Sequence, residues 1–431
     1  MAATALGAPA RRTWPIGVSR VDLVLVILLS MTAMATCLFN GKALSPQVYD
    51  TFNIYFQADP PRVISNMTER WSPWQNRTVA HPLFSITALS SVKALALLGL
   101  PPMQAIGLLL MIAAAVSAGG FHVAMRLMGL APAAAAGFTL ALVASAGFLH
   151  WYAFIETYAF SATGIVLMLI FTCSMRSLPR AGWIVASAAS VAMLITNWGL
   201  GLAAAFFRLP FRQFLLVSGG AFLLVSAVSA VQMKLLHRAA FWLDPRIIAK
   251  EKTYAGPKMH AAGIEWRPFI SARNALLMPG VVPSPQRDRM ETEIGASTVV
   301  TNQFAPLGRW GVAGTVAAAA WLVLLAGGVA GTLADRQRRP IGLALGLFLA
   351  SKILFHSVYG EITFLYAADI AAAALAFAAL GWFSPYRKTV VGALVLFIVV
   401  GSIHNERQFL TAAKLSNQIA LDKQHGRASG I

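Results

Sequence analysis

The residues best suited to chemistry in this chain are acids and arginines at the borders of its apolar runs. Asp59 stands in Tyr55-Phe56-Gln57-Ala58-Asp59-Pro60-Pro61-Arg62. The same polar segment continues through Asn66-Met67-Thr68-Glu69-Arg70 to Arg77-Thr78-Val79-Ala80-His81-Pro82-Leu83-Phe84. A carboxylate can take a proton from an attacking hydroxyl, and arginine holds phosphate bidentately. Arg62, Arg70 and Lys352 are the cationic candidates by position. Glu156, Glu361 and Asp369 border or enter apolar runs, where an acid is costly and marks function by default. Each has a plainer reading. Glu156 and Glu361 suit helix N-termini, where the dipole favours an acid. Asp369, two turns inside its helix, fits pairing with Lys352 better than catalysis. The first-loop charges could equally meet lipid headgroups.

Other chemistries leave no trace. The chain has no P-loop, no GxGxxG after a strand, no HExxH and no CxxC pair, so neither a soluble nucleotide site nor a structural zinc is expected. The histidines show no metal-ligand spacing. Cys37 and Cys173 fall in apolar runs and imply no disulfide framework. Asn66-Met67-Thr68 and Asn76-Arg77-Thr78 match the glycosylation sequon, a short and common motif. Trp151, Tyr152, Tyr158, Trp198, Tyr359 and Tyr366 read as an interfacial aromatic belt.

The elements that position these residues are transmembrane helices. The chain has 431 residues, 58% hydrophobic and 12% charged, against roughly a quarter charged in soluble proteins. An ordinary soluble enzyme, a disordered chain and a collagen-like fibre are excluded. The net charge of +18 would suggest nucleic acid in a soluble protein. Here it sets orientation, and no nucleic-acid partner is expected. Taking about 20 apolar residues per crossing, spans fall near 23–40, 102–126, 131–150, 156–176, 213–234, 310–334, 341–358, 362–384 and 389–405. The stretch 181–207 reads as a hairpin of two short helices turning at Asn197-Trp198-Gly199. The expectation is an all-α polytopic protein with about eleven spans. Residues 1–22, with Arg11, Arg12 and Arg20, are placed in the cytoplasm, 23–405 in the membrane domain and 406–431 in a tail.

With that orientation Arg126, Arg176, Arg180, Arg208, Arg212, Arg336, Arg338, Arg339, Arg387 and Lys388 fall in cytoplasmic turns. The short external turns near 151–156, 197–199 and 358–361 carry no Lys or Arg, which is the positive-inside pattern. Residues 41–101 and 235–308 become external loops. Pro82–Leu98, apolar but carrying Lys93, is expected as a helix on the membrane surface. Asp59, Glu156 and Glu361 then share one side.

This layout resembles the GT-C superfamily, the polytopic glycosyltransferases that use sugars carried on polyprenyl phosphates, including protein O-mannosyltransferases and aminoarabinose transferases. The matching parts are Asp59 in the first external loop, His81-Pro82-Leu83-Phe84 on the surface helix, and the next span closing at Met125-Arg126-Leu127. Ile155-Glu156-Thr157-Tyr158, Leu194-Ile195-Thr196-Asn197-Trp198 and Gly360-Glu361-Ile362-Thr363-Phe364-Leu365-Tyr366 resemble later family segments. The chain departs where Pro60 follows Asp59, because many relatives carry a second acid there. No large soluble C-terminal domain follows the last span.

The resemblance implies that Asp59 is the base activating the acceptor. The sugar would then pass with inversion from a polyprenyl-phosphate donor to a glycan, lipid or protein. Arg62, Arg70, His81, Glu156, Lys352, Glu361 and Tyr366 are the substrate-binding candidates. A divalent metal is the one candidate cofactor. The implied place is the inner membrane, multi-pass, with the site on the external face. The competing readings are a transporter or flippase of a lipid-linked glycan, and a non-catalytic membrane partner in envelope assembly. An enzyme should need the Asp59 carboxylate, whereas a scaffold should tolerate Asn.

Overall fold

The computed structural model describes residues 19–75, 77–255, 258–260, 263–265, 268–292, 295–360 and 362–425. It is 75% helical. The first half comprises α1 (Arg20–Lys42), α2 (Pro46–Tyr49), α3 (Pro60–Thr68), α4 (Phe84–Ala96), α5 (Pro102–Met128), α6 (Pro132–Ala144), α7 (Ala146–Trp151), α8 (Tyr158–Cys173), α9 (Arg180–Met193) and α10 (Trp198–Arg208). The second comprises α11 (Phe211–Leu235), α12 (Pro245–Glu251), α13 (Pro268–Leu277), α14 (Gly311–Ala334), α15 (Arg339–Val358), α16 (Ala367–Ala379), α17 (Arg387–Leu396) and α18 (Ser402–Gln424). The only described strands form two antiparallel hairpins in the second loop. These are β1 (Lys258–His260) with β2 (Gly263–Glu265), and β3 (Gln286–Thr292) with β4 (Gly295–Thr301).

Among the described residues, seven helical stretches are long and apolar enough to cross a membrane: α1, α5, α11, α15, and the stretches 308–334, 363–383 and 387–424. These are the helices of a multi-pass membrane protein. Proline sets several starts, standing at the first helical position of α3, α5 and α6 and the second of α15, where its missing N–H costs nothing. The 181–207 stretch divides at Leu194, which leaves the helix at φ −155°, ψ 122°. The expected 131–150 span is broken at Ser145, whose hydroxyl caps α7 by accepting from the Phe148 N–H.

All thirteen residues of α16 are buried. Its sequence, Ala-Ala-Asp-Ile-Ala-Ala-Ala-Ala-Leu-Ala-Phe-Ala-Ala, lets neighbouring backbones come close, as small residues do between membrane helices. Gly328 and Gly331 of α14 meet it and the turn that follows it so tightly that an added Cβ would stand 2.5 Å from the Phe377 carbonyl and 2.0 Å from that of Leu380. Outer helices show the reverse pattern. Leu23, Ile27 and Met31 of α1 and Leu215, Leu216 and Leu223 of α11 are exposed, the apolar face a lipid-bathed helix presents.

The two ends of the bundle differ in charge. At one end Arg126 binds Asp22 at 2.6 Å, the Met175 N–H donates to the Leu127 carbonyl and Arg338 Nε donates to the Met128 carbonyl. Arg208 reaches the Thr172 and Ser174 carbonyls there. Arg338 stacks over Phe383 and Arg387 over Trp382. The other end carries both long loops. α18 continues from α17 through a π turn at Phe397–Gly401. At about 1.5 Å per residue, the 38-residue stretch 387–424 is about twice the ~30 Å hydrocarbon thickness. Its far half packs against the loops, with Asn417 bonding Ser45 and Ala43, and Lys423 bonding Ser297. Residues 406–424 are therefore helical and docked, where the sequence suggested only a tail.

Candidate functional site

Asp59 is presented by a strained turn. Asn53, Phe56 and Gln57 all lie at positive φ, 66°, 49° and 59°, a region that costs a non-glycine residue about 1–2 kcal/mol. The turn is held on both sides. The Phe56 N–H donates to the Val300 carbonyl at 3.0 Å and the Val300 N–H to Ile54 at 2.7 Å. Tyr55 stacks on Phe154 at 4.3 Å and shares a 2.7 Å hydrogen bond with His150. Strain kept in place by so many contacts concentrates at functional sites.

Asp59 is the N-cap residue of α3, yet its side chain makes no cap bond. Pro60 and Pro61 explain this. An N-cap carboxylate normally accepts from the second or third helical N–H, and Pro61 removes one of those donors. The carboxylate is left for other partners. Its Oδ2 accepts from Arg62 Nε at 3.4 Å, and the side chain stays 24% exposed.

Arg62 is the link to Glu156. Its other branch reaches Glu156 Oε1 at 3.3 Å, with the two side chains 7% and 2% exposed. Glu156 Oε1 also accepts from the Asp59 N–H at 3.5 Å, and Oε2 from the Thr157 N–H at 2.6 Å. Burial raises the Glu156 pKa against the opposing pull of Arg62. Two carboxylates from chain positions 97 residues apart thus share one guanidinium.

These groups line one cavity of about 810 Å³ between the loops and the adjoining helix ends. His81, Tyr158, Thr196 and Tyr366 line it as well. His81 Nδ1 lies 2.8 Å from the Met193 carbonyl. A carbonyl only accepts, so Nδ1 carries the proton and Nε2 keeps a lone pair. Burial and then the Arg62 charge push the His81 pKa down to about 3. His81 is therefore a neutral acceptor and donor, not a cation for phosphate.

The far wall comes from the second loop. Arg77 reaches Glu251 at 3.4 Å, and Tyr359 donates to the same carboxylate at 2.6 Å. Arg77 also stands 5.1 Å over the Tyr254 ring. Burial, then the neighbouring Tyr366 and Glu251, raise the Tyr359 pKa, keeping the phenol a donor. Lys250 of α12 lines the cavity beside Glu251.

Of the residues selected by sequence, Asp59, Arg62, His81, Glu156 and Tyr366 are brought together on this cavity. Arg70 is not. It is exposed, bonds the Leu235 carbonyl at 3.0 Å and lies over Trp71. Lys352 does not reach the cavity either. It is 1% exposed and donates to Thr196 and Asn197 behind the floor. Its expected pairing with Asp369 is indirect, because the Asn197 amide stands between them. Glu361, with Asn76, Arg11 and Arg12, lies outside the described residues.

The aromatic belt needs correcting too. Trp151, Tyr152 and Tyr158 are buried inside the protein, and Tyr359 and Tyr366 face the cavity. The 152–157 connection packs inward against the first loop, so these rings meet protein rather than lipid. Asn66 of the first sequon is 3% exposed and bonded to Ser72 and Trp74. Sequence reasoning missed Glu251, Lys250 and Tyr254, and it left Arg77 without a role. The run Lys250-Glu251-Lys252 resembles any charged loop, and nothing local ties it to Arg77, 174 residues earlier.

The described residues do not fit a divalent cation. The nearest carboxylates, Asp59 and Glu156, are bridged by a guanidinium, and among the described residues no three His, Cys, Asp or Glu side chains gather as a ligand set. Fold and site together define a class, a multi-pass helical membrane protein with a cavity of charged, aromatic and aliphatic side chains at its loop-bearing end. No protein family, no curated protein and no solved structure matches the chain.

Proposed function

We propose that this protein is a GT-C-like glycosyltransferase, moving a sugar from a polyprenyl-phosphate donor to an acceptor hydroxyl in the cavity. The observation that carries the reading is the convergence of Asp59, Arg62, His81, Glu156 and Tyr366 on that cavity. Asp59 takes the proton from the acceptor hydroxyl as its oxygen bonds to the anomeric carbon. The carbon–phosphate-oxygen bond breaks in the same displacement, with inversion, and polyprenyl phosphate leaves. The guanidiniums of Arg62 and Arg77 stabilise its charge. His81 offers hydrogen bonds to sugar hydroxyls.

The finer topology belongs to the same reading. Eleven crossings would comprise α1, α5, the α6–α7 pair, α8, α9, α10, α11, α14, α15, α16 and α17, with α4 on the membrane surface. The arginine-rich end faces the cytoplasm, and the cavity faces the external side of the inner membrane. Cytoplasmic nucleotide sugars are absent there, which favours a lipid-linked donor. The acceptor is a glycan, lipid or protein.

The test is transfer by detergent-solubilised protein offered polyprenyl-phosphate sugars and nucleotide sugars in parallel. Asp59→Asn should lower lipid-dependent transfer by about 100- to 10,000-fold, with an unchanged melting temperature. Turnover with nucleotide sugars alone, or full activity in Asp59→Asn, would refute the assignment.

A further inference from the structure

The turn between α9 and α10 forms part of the cavity floor, with Leu194, Ile195 and Thr196 lining it. It is stitched to the first loop on one side. The Leu83 N–H donates to Ala192 at 2.7 Å, the Ile195 N–H to Ala80 at 3.0 Å, and His81 to Met193 at 2.8 Å. On the other side the turn hangs from Thr196 and from Asn197, which is fully buried.

The two ends of the Asn197 amide meet opposite charges. Nδ2 donates to Asp369 Oδ1 at 3.0 Å and to the Ser161 carbonyl at 3.3 Å. Oδ1 accepts from Lys352 Nζ at 2.6 Å. Lys352 also donates to Thr196 Oγ1 at 2.8 Å, and Ser161 donates to the same Asp369 oxygen. Lys352 and Asp369 are 1% and 0% exposed and form no direct ion pair within 4.0 Å. A carboxamide in one orientation donates to the acid and accepts from the amine. A carboxylate at 197 would repel Asp369, and an apolar side chain would leave two buried charges apart. Breaking such an arrangement is costly because the charges cannot find water, so it admits few geometries.

We infer that Asn197, suspended between Lys352 and Asp369, is a positioning residue that fixes the height of the cavity floor. Its partners lie 155 and 172 residues away, on α15 and α16, so the floor is referenced to the buried centre of the bundle rather than to the hairpin. Lys352 thereby acts on the site through Thr196 and Asn197 and touches no ligand. The inference holds whichever ligand fills the cavity.

A substrate-free readout tests it. Ile195→Cys places a reporter thiol on the floor, while the native Cys37 and Cys173 are buried. Its labelling rate with a water-soluble maleimide is measured in detergent, in that parent and in further variants. Asn197→Leu and the charge-neutral pair Lys352→Met with Asp369→Asn should each change the rate by at least about fivefold in protein that still melts cooperatively. Lys352→Arg, which keeps charge and donors, should stay within about twofold of the parent. Thr196→Val removes one acceptor of Lys352 and should shift the rate by about threefold, which keeps the test decisive should the larger changes not fold. Parental rates in the folded variants would overturn the inference. So would a Lys352→Arg effect as large as that of the neutral pair.

Discussion

Arg62 carries more of the site than any other side chain, and its removal should show it. Nearly buried, it serves Asp59 and Glu156 together. Arg62→Ala strands Glu156, itself 2% exposed, and should destabilise the protein by about 3–5 kcal/mol. Pairing Arg62→Met with Glu156→Gln should recover most of that loss, since neutral groups need no buried counter-charge. Denaturation midpoints in detergent would check both. His81 gives a pH signature. Its folded pKa of about 3 lies below the ordinary 6.5. Between those values the unfolded chain binds a proton that the folded chain refuses. The contribution is therefore full above pH 6.5 and is lost as pH falls toward 3, by at most about 1.4 kcal/mol per pH unit. Melting followed against pH should show a shallower acid slope in His81→Gln than in the wild-type chain. Equal slopes would mean that the ring is free to protonate. Asp59, Arg62 and His81 were legible because they fall in one polar segment. Glu251 was not, since its significance rests on Arg77 and Tyr359 reaching it from distant segments.

The helices explain why such a cavity survives in so apolar a chain. α16 supplies a dense central post, and α14 crosses it where glycines remove the side chains between them. Gly331→Ala would drive a methyl to 2.0 Å from the Leu380 carbonyl. It should cost about 1–3 kcal/mol through backbone displacement, measurable as a lower melting temperature, whereas Gly392→Ala on α17, with open space around it, should be close to neutral. That the apolar runs are helices of a multi-pass membrane protein was readable from hydropathy. The break at Ser145, the docking of α18 on the loops and the strained turn before Asp59 were not, because each depends on partners remote in the chain.

Across the whole molecule, polarity separates the ends. One carries the arginine-rich turns and the other the loops, the cavity and α18. Orientation is tested by labelling intact cells with an impermeant thiol reagent. A cysteine at Arg246, whose side chain is 88% exposed in the second loop, should react from outside. One at Gln337, exposed in the α14–α15 turn, should be protected. The opposite pattern would put the cavity on the cytoplasmic face and remove the case for a lipid-linked donor.

What the sequence determined by itself was the class of molecule, the division between loops and apolar helices, and the first-loop cluster around Asp59. Hydropathy and charge asymmetry are sums over neighbouring residues, so they can be read locally. Only the tertiary structure decided that Glu156 turns onto Arg62, that Arg77 meets Glu251, that the tyrosines face a cavity rather than lipid, and that Asn197 separates Lys352 from Asp369. Those pairings join residues about 94 to 174 positions apart. They follow from how the loops and helices pack on one another, and no local pattern encodes a contact made only when distant segments meet.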